Sequence, residues 1–246
     1  MGTPAPIRAA LRLALPNPQS RIPDPVPHTH RTRFLQLALH AEALRFGEFT
    51  LKSGRVSPYF FNAGRFDSGA SLAALADCYA DAVDAAGLDF DLLFGPAYKG
   101  IPLATALGCA YARRGRDLPL AFNRKEAKTH GEGGTLIGAP LAGKRVLIVD
   151  DVITAGTAIR EALGLIRAAG GIPAGIVIAL DRQEVAPDGP AMSAAQAVTA
   201  EAGIPVIAVA GLDDLLAFAG ESADLLDQRE RLLAYRARYG CATPTS

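Results

Sequence analysis

The sequence has no net charge: 25 Lys and Arg balance 25 Asp and Glu over 246 residues. That balance removes the electrostatic footprint of a nucleic-acid-binding or membrane-surface protein and leaves only local basic clusters for binding phosphates. Tryptophan is missing and cysteine is scarce. Cys78, Cys109 and Cys241 match no metal spacing, and their odd number fits no disulfide framework. Such thiols read as reduced, so the expected compartment is the cytoplasm. No apolar run approaches the roughly 18 residues a membrane span needs, and no membrane partner is expected. The patterns G-x-x-x-x-G-K-[ST] and G-x-G-x-x-G are also missing, which excludes the Walker and dinucleotide loops.

What the chain does have is apolar bulk. Half of its residues are hydrophobic, enough to bury one good core, so the length predicts one large domain with an attachment. The attachment is at the front. Seven of the seventeen prolines fall between Pro4 and Pro27, and before Asp24 the only charged side chains are Arg8, Arg12 and Arg21. So little buriable surface predicts a disordered or loosely attached extension over residues 1–31, either dispensable or reflecting a start assigned too early. Residues 32–246 are then the single domain.

Residues 146–158, VLIVDDVITAGTA, organise that domain. Four β-favouring residues, Val146 to Val149, predict a strand buried on both faces, as in a parallel sheet covered by helices. The strand ends on Asp150 and Asp151, and a small-residue loop then leads into a helix. Open α/β sheets bind ligands at such carboxyl ends, and helix N-termini bind anions. Converging N–H groups, the Thr154 and Thr157 hydroxyls and the positive φ open to Gly156 make phosphate the expected guest. Two adjacent carboxylates suit sugar hydroxyls, so a sugar phosphate is the expected ligand. For Asp151 taken alone, the plain alternative is a helix cap.

Other stretches extend this picture. Residues 95–100 form a small-residue turn after a strand and present Tyr98 and Lys99 to the same crevice. Residues 123–134 hold four potentially cationic side chains within seven positions, followed by glycines, and predict a solvated, mobile loop. Phe60 and Phe61 follow Tyr59 in an aromatic run that suits either core or a flat ring.

Apolar strand, acid pair and T-A-G-T together resemble the phosphoribosyl pyrophosphate (PRPP) loop of the type I phosphoribosyltransferases. The stretches FTLKSGR and SPYFFNAGRF (49–66), FGPAYKGIP (94–102) and NRKEAKTHGEGG (123–134) resemble the orotate phosphoribosyltransferases specifically. The resemblance implies a hood over about residues 48–66, with Lys52 reaching PRPP and Phe60 and Phe61 against the pyrimidine. It implies that Tyr98 and Lys99 contact PRPP at its pyrophosphate. Residues of about 123–135 become a flexible catalytic loop shared across a homodimer interface. Within it Arg124, Lys125, Lys128 and His130 bind PRPP, and Lys128, helped by Arg124 and His130, assists the departing pyrophosphate. Many relatives carry Asp where this chain has Thr129. Asp150 and Asp151 are assigned to the ribose hydroxyls. Val152, Ile153, Thr154, Ala155, Gly156, Thr157 and Ala158 are assigned to the 5-phosphate, and Thr154 and Arg182 to orotate. The Arg182 guanidinium would fork onto the orotate carboxylate, with an Asp181 ion pair as the plainer reading. Magnesium is expected on PRPP itself, with no direct protein cage.

Around these sites the patterning alternates. Helices are expected over 32–46 (closed by Gly47), 71–86, from 101, over 158–169, 191–202, 212–219 and 223–239. Strands are expected over 89–94, 119–122, 174–180 and 205–209, with short β pieces around Ser53-Gly54. This alternation predicts an α/β class, and the resemblance implies the type I phosphoribosyltransferase fold, a mostly parallel central sheet flanked by helices with a small N-terminal hood. The chain is therefore expected to convert orotate and PRPP to orotidine 5′-monophosphate and pyrophosphate in pyrimidine synthesis. Two alternatives stay open. A transferase for adenine, hypoxanthine or uracil would share the PRPP loop without Lys52, Phe60-Phe61 and the 123–134 loop together. A PRPP-sensing regulator would need a basic face for nucleic acid, which the charge balance does not support.

Overall fold

The computed structural model describes residues 29–51, 53–128, 134–186 and 191–241. In chain order its elements are α1 (His30–His40), β1 (Leu44–Thr50), β2 (Val56–Phe61), α2 (Gly69–Ala85), β3 (Leu92–Gly95), α3 (Gly100–Arg113), β4 (Leu120–Lys128), β5 (Gly134–Gly138), β6 (Arg145–Val149), α4 (Thr157–Ala168), β7 (Ile172–Asp181), α5 (Ala194–Ala202), β8 (Val206–Gly211), α6 (Leu212–Glu221) and α7 (Leu226–Tyr239). Six strands form one sheet in the order β5-β4-β3-β6-β7-β8, parallel except for β5, which runs antiparallel beside β4. β1 and β2 pair separately as an antiparallel hairpin.

The continuous apolar run of β6 is explained by two cores, one on each face of the sheet. Leu147 and Val149 join side chains of α1, α2, α3, α6 and α7, whereas Val146 and Ile148 join Ile159, Ala162, Leu163 and Ile166 of α4 and Ala195 and Val198 of α5. All four strand residues are fully buried. At about 1.5–3 kcal/mol for each large apolar side chain buried, they hold β6 at the centre of the sheet and so set the position of the two acids at its end. From β3 the strand order steps outward to β4 on one side, and it resumes at β6 on the other. Such a reversal leaves a crevice between the carboxyl ends of β3 and β6.

Among the boundaries that differ from the sequence expectation, three have a clear local cause. The first helix ends at His40, and Leu44 to Phe46 open β1, with Leu44 paired to Phe61 and Phe46 to Tyr59. Their helical spacing is overridden by strand partners, and Glu42 takes a left-handed φ of 52° between the two elements. The strand expected to stop at Phe122 continues to Lys128. The arms of the supposed mobile loop are an edge ribbon, in which Asn123 of β4 pairs with Leu136 of β5 and Lys128 with Gly134. Charged edge residues carry no apolar alternation, so this strand is invisible to periodicity. Finally, α5 starts at Ala194 because Ser193 caps it: its Oγ accepts from the Gln196 N–H, and Gln196 Oε1 accepts from the Ser193 N–H. The tip at 129–133, the extension up to residue 28 and Lys52 lie outside the described residues.

Candidate active site

Asp150 and Asp151 prolong β6 beyond its last ladder residue. The Asp150 N–H donates to Val177 O at 3.0 Å, and the Ala179 N–H donates to Asp151 O at 2.8 Å. Both acids are buried, at 8% and 6% exposure. From α2, the buried Tyr79 hydroxyl donates to the Asp150 carbonyl at 2.8 Å. Asp150 Oδ1 accepts from the Asp151 N–H at 2.9 Å, and Lys99 Nζ lies 2.7 Å from Asp151 Oδ2. Burial pushes the Asp150 carboxyl up to about 7; the Asp151 charge adds to the rise and Lys99 opposes it. The pair is thus held in two different electrostatic settings.

The loop after the acids is anchored inside and open outside. Ile153 is buried, whereas Thr154, Ala155, Thr157 and Ala158 are exposed and Val152 is half-buried. Gly156 caps α4 at φ 74°, and no side-chain hydrogen bond closes the cap. Arg160 Nη1 donates to Ala155 O at 2.7 Å while its Nε reaches Glu201 Oε2 at 2.8 Å, bracing the loop against α5. The first-turn N–H groups of α4 and the two threonine hydroxyls form a donor set suited to an anion.

The second turn is brought to the acids by close packing. A Cβ on Gly100 would lie 2.6 Å from Val149 O and 2.5 Å from Pro96 Cδ, so only glycine lets α3 start against the end of β6. Lys99 consequently reaches Asp151. Asn123 Oδ1 of β4 accepts from the Ala97 N–H at 2.8 Å, tying the ribbon to this turn, and the Ala97–Tyr98 peptide is cis. Tyr98 is 68% exposed, and Lys125 Nζ stands 5.2 Å from its ring centroid. Arg124 is half-buried, Lys125 is exposed and Lys128 ends β4. His130, like Lys52, falls outside the described residues.

Around the hood the geometry is more mixed. Phe60 lies 5.5 Å from Phe49 between ring centroids, whereas Phe61 lies 6.0 Å from Phe34 of α1. As neighbours on β2 they point to opposite sides and do not form one stacked pair. Arg182, just past β7, has Nη2 2.6 Å from Glu184 Oε1 and donating to Ser57 Oγ at 3.2 Å, with its guanidinium 4.4 Å from the Tyr59 ring centroid. The ion-pair partner is therefore Glu184. Asp181, the plainer expectation, accepts instead from the Gln183 N–H and the Ser193 hydroxyl.

For four residues at or beside the site the sequence assigns no individual contact: Ser57, Tyr79, Asn123 and Glu184. Tyr79 reads as an apolar-face residue, and its ring is one; nothing local announces where its hydroxyl goes. Strand alternation does not announce Glu184 either, because Gln183 between it and Arg182 takes a left-handed φ of 51°.

The phosphoribosyl transferase domain family matches the chain over residues 66–190, which takes in both turns and the ribbon. The chain is 82% identical over 214 residues to an orotate phosphoribosyltransferase of Xanthomonas oryzae pv. oryzae, covering 87% of this chain and 98% of that protein. It superposes with a TM-score of 0.77 on the crystal structure of orotate phosphoribosyltransferase from Francisella tularensis, 43% identical, over 84% of this chain and 98% of that one. A Mycobacterium tuberculosis orotate phosphoribosyltransferase solved in complex with PRPP is 27% identical, with a TM-score of 0.56, over 74% of this chain and 98% of that one.

Proposed function

This chain belongs to the orotate phosphoribosyltransferases, pentosyltransferases of the phosphoribosyl transferase domain family, and from that premise we propose how its crevice transfers ribose 5-phosphate from PRPP to orotate. The observation that carries the assignment is the meeting of two turns at the end of β6, with Gly100 against Val149 and Lys99 on Asp151. One turn offers N–H groups and hydroxyls; the other offers a cation. PRPP laid across them puts its 5-phosphate on residues 152–158 and its pyrophosphate beside Tyr98, Lys99, Arg124 and Lys125, with Lys52 approaching from the hood. Asp150 and Asp151 accept from the ribose hydroxyls.

Orotate lies between Thr154, Arg182 and the hood residues Phe60 and Phe61. Its own ring nitrogen attacks the anomeric carbon as the bond to pyrophosphate breaks, so no side-chain nucleophile is needed. Positive charge builds on the ribose, next to the acid pair, and negative charge builds on the leaving group, next to Lys128, Arg124 and His130. Catalysis is then positioning plus preorganised electrostatics.

Magnesium suits this arrangement as a companion of PRPP. The two aspartates offer hard oxygen donors, yet among the described residues no group of three or more His, Cys, Asp or Glu is placed to hold a cation. Substrate oxygens and water would complete the shell. When bound, the ion neutralises charge on the departing pyrophosphate. Family membership also supports a homodimer in which the β4–β5 ribbon reaches the partner's crevice. A cytoplasmic enzyme agrees with the absence, among the described residues, of a helix long and apolar enough to cross a membrane.

The direct test mixes purified protein with PRPP and Mg²⁺ and follows orotate absorbance, with adenine, hypoxanthine and uracil in parallel. Consumption of orotate alone is expected. Consumption of another base reassigns the specificity, and PRPP binding without consumption of any base favours a regulator.

A further inference from the structure

Arg182 is a long side chain in a tight place, and the residues around it decide which of its donors face the ligand. It and Glu184 keep 18% and 12% of their side-chain surface exposed, and Nη2 makes both the 2.6 Å contact to Glu184 and the 3.2 Å bond to Ser57. Ser57 gives its own proton to Tyr59 O at 2.8 Å, so towards Arg182 it acts as an acceptor. The Tyr59 ring covers the guanidinium at 4.4 Å. Nη2 is thereby drawn to Glu184 by charge and to Ser57 by a hydrogen bond, although Glu184 Oε1 has no aligned hydrogen bond of its own, and three further N–H donors sit on Nη1 and Nε.

Glu184 is not on a segment that a ligand could easily push aside. It bridges Gly240, the Val185 N–H donates to Tyr239 O at 2.9 Å, and the Cys241 N–H donates to Gln183 O at 2.8 Å. From the hood, Arg55 Nη1 donates to Val185 O at 2.6 Å. The backbone that carries Glu184 is thus held by the C-terminal end of α7 and by the hairpin.

We infer that Glu184 is a positioning residue for orotate: with Ser57 it clamps Arg182 through Nη2 and presents the Nη1 and Nε donors to the substrate carboxylate. The inference rests on the proposed contact between Arg182 and orotate and adds a determinant that no resemblance supplied. Removing Glu184 has two opposed effects. It strengthens the field for an anion, and it frees a guanidinium that otherwise binds without reordering. Burial between Tyr59 and Ser57 makes the second effect the larger, because a planar fork is useful only when held in register.

The test compares Glu184→Gln, Glu184→Asp and Arg182→Lys by steady-state kinetics in both substrates, with thermal melts to verify folding. Glu184→Gln is expected to raise the orotate KM about tenfold, with a smaller change in kcat and in the PRPP KM. Glu184→Asp, which keeps the charge on a shorter arm, should fall between it and the unaltered protein. Adding Glu184→Gln to Arg182→Lys should change the orotate KM less than about twofold, since the clamp then has no fork to hold. If Arg182→Lys raises the orotate KM but Glu184→Gln leaves it unchanged or lowers it, the positioning role is overturned while the Arg182 contact stands. If Arg182→Lys has no effect on the orotate KM, the contact itself fails and the clamp with it. Should Glu184→Gln not fold, Glu184→Asp is held to the same criterion at a smaller, several-fold effect.

Discussion

Replacing Asp150 by Asn removes one ionisable group while keeping an oxygen that can accept the Asp151 N–H, now bonded at 2.9 Å. Burial raises the carboxyl from 3.8 to about 7. Between those two values the folded chain holds a proton that the unfolded chain has released. A raised carboxyl therefore contributes its stability at low pH and loses it as pH climbs to the folded value. Each pH unit in that window removes about 1.4 kcal/mol, so between pH 5 and pH 8 the loss from this group is on the order of 2–3 kcal/mol. The Asn variant does not suffer that loss. Its stability relative to the unaltered protein should widen by the same amount from pH 5 to pH 8 and change little at higher pH. Urea unfolding at each pH reads the difference directly, because every other titrating group is common to both proteins and largely cancels. In melting temperature the divergence is roughly 5–10 °C for a domain of this size. A gap that is equal at pH 5 and pH 8 would refute the buried, protonated Asp150. The same titration has a kinetic face: kcat/KM for PRPP should rise through about pH 7 as the acid ionises, and Asp150→Asn should lack that limb.

Three further variants probe the surroundings of the acid pair. Tyr79→Phe deletes the 2.8 Å bond to the Asp150 carbonyl; it should cost about 1 kcal/mol in urea unfolding and raise the PRPP KM several-fold. An equal rise in the orotate KM would make Tyr79 a general packing residue. Gly100→Ala forces a methyl to 2.6 Å from Val149 O, and a loss of about 1–3 kcal/mol is expected, with Lys99 drawn off Asp151 and PRPP binding weakened; an unchanged melt would contradict the packing. Lys128→Ala should lower turnover by about 10²–10³ while affecting PRPP affinity less, and near-normal turnover rejects its role. Mixed with inactive Asp151→Asn protein, Lys128→Ala protein should regain activity at about a quarter of the sites if the ribbon is shared between subunits, whereas no recovery places the loop over its own crevice.

How much of this is readable from the sequence depends on how local each contact is. The face of α4 expected to be buried, Ile159, Ala162, Leu163 and Ile166, is the one that packs, because a 3.6-residue period declares itself within twelve residues. The acids fall at the end of β6 for the same reason: four apolar residues and then two carboxylates are a strand terminus in any context. Leu44 to Phe46 are misread because their partners, Tyr59 to Phe61, lie on another strand, and short apolar runs fit either period. The hydroxyl of Tyr79 acts on a carbonyl 71 positions away, beyond any pattern.

Two expectations at strand ends meet the same geometry. Asp181 is the plainer partner for Arg182, and Phe60 and Phe61 are assigned together to one base, although adjacent strand residues face opposite ways. Beyond β7 the chain leaves the strand, Gln183 taking a left-handed φ of 51°, and the ion pair of Arg182 lies with Glu184. On β2 the period of two separates the two phenylalanines, one toward Phe49 and the other toward Phe34. The hood can therefore set at most one of those rings flat against orotate. The other must act through its backbone or by fixing the hairpin on α1, and truncating the two to Ala one at a time should give unequal rises in the orotate KM.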